Sequence, residues 1–161
     1  MAGQPDAKPD GRDETEDERA DRNFNELLQE LRVAQTGVQI LFAFLVTLPF
    51  TQRFGTVTGV QKDLYLVALV AAALSMACLV APVSQHRILF GRRLKPWLVQ
   101  SGSRLAYLGT AFLLIAVITA LFLIVDVVAG VPAAIVVCVA VGTWAVLAWY
   151  LVPLRRRGQS G

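Results

Sequence analysis

Charge is what this chain mostly lacks. Residues 33–52, 64–85, 105–125 and 127–154 hold no Asp, Glu, Lys or Arg. Over the 161 residues, 17% are charged and 55% are hydrophobic, whereas soluble domains carry about 25% charge. That balance excludes an ordinary soluble domain, because each uncharged run is as long as the roughly 20 residues a helix needs to cross a bilayer. Metal and redox chemistry are equally thin. One histidine, His86, cannot build a histidine-based metal site, and there is no CxxC. The two cysteines, Cys78 and Cys138, fall in uncharged runs at depths that do not match. A disulfide is then out of reach, and both read as small packing residues.

No ionisable residue lies in the central part of any uncharged run. Proton-coupled transport depends on such groups, which excludes an exporter built around an embedded carboxylate. No Ser, Cys or Thr has a recognisable partner base, and no phosphate loop or haem-attachment motif is present. The expectation is a non-enzymatic chain with no catalytic residue, no cofactor and no metal. The first 22 residues lack the apolar stretch and the small-residue cleavage site of a secretory signal. The first span is therefore expected to direct insertion itself.

What is there is unevenly placed. The net charge of +3 conceals a split: ten of twelve acidic residues lie at or before Glu30, and ten of fifteen basic residues follow Arg32. A global basic balance therefore implies no nucleic-acid partner. Residues 1–22 hold eight acidic residues and little to bury, which predicts a disordered tail. From Phe24 the pattern changes. Phe24, Leu27, Leu28 and Leu31 recur at helical spacing, with Asn25, Glu26, Gln29 and Glu30 opposite, the pattern of a short amphipathic juxtamembrane helix.

The predicted fold is all-α, an integral membrane four-helix bundle running up-down-up-down. Its domain covers residues 23–157, with spans at about 33–52, 64–83, 105–126 and 131–152, and residues 158–161 form a C-terminal tail. Asp63 reads as the N-cap of span 2 and Pro82 as its stop. Gly130 and Pro132 permit a tight hairpin between spans 3 and 4. Four crossings leave thirteen Lys and Arg residues on one side (five before span 1, five in 86–104, three in 155–157) and only Arg53 and Lys62 on the other. The positive-inside bias then puts both termini in the cytoplasm, and the expected location is the plasma membrane. Trp144, Trp149 and Tyr150 beside Arg155, Arg156 and Arg157 read as interfacial anchors. Rows of small residues four apart, Ala73–Ala77–Ala81, Ala116–Ala120 and Ala134–Cys138–Gly142, predict the faces where helices pack together.

Two candidate surfaces stand out. Arg32, Gln35, Thr36 and Gln39 form the polar cluster at membrane depth, with Arg32, Thr36 and Gln39 on one face. They can line a polar pocket or bond helices to each other. Arg87, Arg92, Arg93, Lys95 and Arg104 interleave with apolar residues in 86–104, the mixture of a segment lying among lipid headgroups, and are candidate contacts for anionic lipid. Asp63 and Asp126 share the opposite end, too few ligands for a cation site.

The run ELRVAQTGVQILFAFLVTLPFTQRF (30–54), the segment APVSQHRILF (81–90) and the closing WYLVPLRRR (149–157) resemble a family of small actinobacterial membrane proteins classed only as a domain of unknown function. The resemblance covers residues 24–157 and implies a four-span membrane protein; it transfers no catalytic residue. The function expected is that of a multi-pass membrane protein acting by binding. Its partners are the lipid bilayer, anionic lipid, and a membrane-protein partner or a second copy as a homo-oligomer. The alternative is a small transporter or channel subunit with a polar pathway on span 1.

Overall fold

Inside hydrocarbon a backbone must close its hydrogen bonds within its own segment, so long uncharged runs become helices. The computed structural model describes residues 16–89 and 95–151. Among them there is no strand, and four helices are long and apolar enough to cross a membrane. These are α1 (Glu16–Thr47), α2 (Gly59–Leu89), α3 (Lys95–Ala129) and α4 (Val131–Val146), the last running on into a π-helical turn, Leu147–Leu151. Two 3-10 turns, Leu48–Phe50 and Gln52–Thr56, connect α1 to α2.

Several boundaries differ from the sequence reading. α1 begins at Glu16, so 16–22 are helix rather than disordered tail, and residues 1–15 lie outside the described residues. Acidic Glu16, Asp17 and Glu18 suit a helix N-terminus, and no break separates the amphipathic stretch from span 1. Asp63 is not a cap. α2 opens four residues earlier, where Thr58 and Gln61 form a reciprocal capping box: Gln61 Oε1 accepts from the Thr58 N–H at 2.9 Å, and the Gln61 N–H donates to Thr58 Oγ1 at 3.3 Å. Nor does Pro82 stop α2, which continues to Leu89 with the proline buried inside it. The missing proline N–H deprives only the Cys78 carbonyl, and in lipid a fully broken helix would leave more groups unsatisfied.

The core is built by α1, α2 and α3. Toward the 3-10 end, Leu45, Tyr65, Ala68, Ala72, Ala116, Ala120 and Leu123 are buried together, with Phe54 set edge-on to Tyr65 at 5.1 Å between centroids. Toward the other end Leu31, Val38 and Leu79 form a second cluster. Polar ties span the same helices. The fully buried Ser75 hydroxyl donates to the Gly109 carbonyl at 2.7 Å, and the Gln61 amide donates to Asp126 at 2.8 Å. Ser101 donates to Gln85 at 3.1 Å.

The expected four-helix bundle is open on one side. α4 packs on α3 and on neither α1 nor α2. Gly130, at φ 82° and ψ 167°, turns the chain back within one residue, in a region open essentially to glycine. Ala134 and Cys138 are buried, Cys138 Sγ donates to the Ile118 carbonyl at 3.5 Å, and Gly142 faces the Ile118 side chain. The Ala134–Cys138–Gly142 and Ala116–Ala120 rows thus pack as their spacing predicts. The Ala73–Ala77–Ala81 row does not: Ala73 and Ala77 are exposed and Ala81 is half-buried. Ala68, Ala71, Ala72 and Ser75, another set of small residues, face inward in its place.

Candidate functional site

Because α4 leaves α1 uncovered, a cavity of about 530 Å³ opens between α1, α3 and the end of α4. Its volume falls in the range of small-molecule sites, about 300–1,000 Å³. Leu27, Glu30, Leu31 and Ala34 line it from α1, and Ser103, Ala106, Tyr107 and Thr110 from α3. Both sets follow the three- and four-residue spacing that puts side chains on one helix face.

Trp149 and Tyr150 complete the wall. They come from the π turn that continues α4, Leu147–Leu151. Widened turns of this kind recur at functional sites. The Tyr150 hydroxyl lies 3.2 Å from Thr110 Oγ1, and that same Thr110 oxygen is 3.1 Å from the Ala106 carbonyl. Among the described residues the cavity therefore has an apolar floor of Leu and Ala, an aromatic side, a patch of hydroxyls and one charged lining residue, the acidic Glu30. Among the described residues no group of three His, Cys, Asp or Glu could hold a metal ion.

The predicted polar cluster divides in two. Gln35, half-buried, donates its amide to the Leu79 carbonyl of α2 at 2.7 Å, within one turn of Pro82. Arg32, Thr36 and Gln39 are exposed, although Arg32 and Gln39 lie within one turn of Gln35 on neighbouring positions of the helix surface. Thr36 turns its hydroxyl back onto the Arg32 carbonyl at 3.0 Å. Of the basic candidates, Arg87 and Arg104 are exposed on α2 and α3, Lys95 opens α3, and Arg92 and Arg93 lie outside the described residues. Asp126 takes the Gln61 amide and does not pair with Asp63, which is exposed.

A model of a family of unknown function, DUF6328, matches residues 13–153. The chain belongs to that family. The match takes in all four helices and every described residue of the cavity. No curated protein and no solved structure matches the chain. For this DUF6328 member the cavity residues went unread in the sequence as a site. Glu30 read only as part of an amphipathic face and Trp149 and Tyr150 as interfacial anchors, while the Ser103–Ala106–Tyr107–Thr110 spacing was the available signal.

Proposed function

We propose that this chain is a non-enzymatic, multi-pass protein of the plasma membrane that binds a lipid-like amphiphile in the cavity between α1, α3 and the π turn. It crosses four times, up-down-up-down, with both termini in the cytoplasm. The observation carrying this reading is the cavity itself, set in helices long and apolar enough to span a membrane and lined, among the described residues, by apolar, aromatic and hydroxyl groups with the Glu30 carboxylate. An acidic lining favours a ligand with an ammonium head, which aromatic faces also attract. Anionic lipid is left to the basic surface outside the cavity, at Arg87 and Arg104. A membrane-protein partner would use the exposed helix faces.

The alternative, a small transporter or channel subunit, has one observation in its favour, the exposed Thr36 and Gln39. Since these face away from their own helices, a pathway along them would need more than one copy.

The test compares ligands on delipidated, detergent-solubilised protein. Amphiphiles with an ammonium head should raise the melting temperature saturably, and those with an anionic head much less. Ala106→Phe, which fills the floor, should abolish that rise while leaving the unliganded melt within a few degrees. Equal stabilisation by both head types, or a rise that survives Ala106→Phe, sinks the reading.

A further inference from the structure

The two 3-10 turns that follow α1 wall a second cavity, of about 180 Å³, at the end of the molecule away from the first. Leu48 and Phe54 line it on one side, and Leu123 and Val127 of α3 on the other. Its volume is below the roughly 300–1,000 Å³ that takes in a whole small molecule, so it has room for a stretch of chain whose remainder stays outside. The wall is set before anything binds. Thr51 gives its N–H, at 3.0 Å, and its hydroxyl, at 2.7 Å, to the Leu48 carbonyl, while the Phe54 N–H donates to the Thr51 carbonyl at 3.1 Å. The Phe54 ring is held edge-on by buried Tyr65.

The polar groups of this lining are engaged within the protein, with one exception. The Thr51 hydroxyl proton goes to Leu48, and Gln61 uses its oxygen on Thr58 and its amide on Asp126. Arg53 lines the cavity, is exposed, and pairs with no carboxylate among the described residues. Orientation does not account for it. In the proposed topology the positive-inside bias strips basic residues from this side, where two of fifteen remain. A guanidinium beside an apolar slot matches an anion carried on a hydrocarbon chain, and a phosphate suits its planar fork.

We propose that this cavity takes the glycerol-proximal part of an acyl chain of an anionic phospholipid, with the lipid phosphate on Arg53. A zwitterionic head offers the same phosphate beside its own ammonium, so the net anionic lipid is preferred. The site is separate from the exposed Arg87 and Arg104, which belong to the other end of the helices.

Quenching of a local fluorophore tests this on the full chain in nanodiscs of zwitterionic lipid. The label goes on Gly55→Cys, where an added side chain meets open space, in a background of Cys78→Ala and Cys138→Ala. At equal low fractions, a phosphatidylglycerol carrying a doxyl group along its acyl chain should associate about fivefold more tightly than the matching phosphatidylcholine, the effect of one basic residue on an anionic lipid. Arg53→Gln should remove that preference. Val127→Phe, which fills the cavity and leaves Arg53 in place, should remove it too, whereas Ala106→Phe in the other cavity should leave it unchanged. Equal quenching by the two lipids, a preference that survives Arg53→Gln or a folded Val127→Phe, or equal quenching by a doxyl fatty acid would each overturn the proposal.

Discussion

Leu79 fills the notch that Gly109 leaves in α3: a β-carbon on Gly109 would sit 2.7 Å from Leu79 Cδ2, 2.8 Å from its Cγ and 3.3 Å from Cys78 Cβ. The leucine side chain is fully buried and has nowhere to retreat. Its carbonyl meanwhile accepts Gln35 from α1, so one residue of α2 joins three helices. Gly109→Ala should therefore cost about 1–3 kcal/mol through overpacking. A thermal melt in detergent reads the loss, and Leu79→Ala should recover part of it, since residues in contact do not add independently.

The two glutamines of α1 should behave differently. Gln35→Leu removes the tie to Leu79 and should lower stability by about 0.6 kcal/mol, the average for hydrogen bonds between membrane helices, and by no more than about 1.7 kcal/mol. Gln39→Leu breaks nothing within its own chain and should leave the melt unchanged or slightly raised. Equal losses for the two in detergent would contradict this difference in bonding.

Gln61 does two jobs, capping α2 with Thr58 and holding Asp126 on α3. Thr58→Ala should lose only the cap, about 1 kcal/mol. Gln61→Ala should lose more, because a hydrogen bond to a carboxylate is stronger than a neutral one. Asp126→Asn in the Gln61→Ala background should add little. Denaturant melts of the wild type, Gln61→Ala, Asp126→Asn and the double variant form the cycle that checks it.

The orientation is tested by reporter fusions. Thirteen basic residues on one side and two on the other predict cytoplasmic reporters after residue 95 and at the C-terminus, and an outside reporter near Gly59. A C-terminal reporter on the outside would refute four crossings.

The helices were legible because charge is forbidden in hydrocarbon and its absence marks them out directly. Their ends were less so. Thr58-x-x-Gln61 is a capping signature in plain view, but Asp63 beside the uncharged run drew attention away from it. Pro82 misled because the rule that proline ends a helix is a rule for water, where freed carbonyls find another partner. Spacing identified small-residue rows but could not say which stripe of α2 faces inward, since Ala73–Ala77 and Ala68–Ala72 are equally regular. The cavity was illegible for a different reason. It exists because α4 stays off α1 and because the last turn widens, and neither fact has a local signature.

The one-residue turn at Gly130 also makes α4 a lever. With its fulcrum at Gly130 and packing along a single neighbour, the helix carries Trp149 at the end of an arm of about 28 Å, nineteen residues at 1.5 Å each. A tilt of about 5° at the turn displaces that indole by roughly 2.4 Å along an arm of that length. The width of the cavity beside Trp149 is in this way tied to the backbone at Gly130, at the other end of α4.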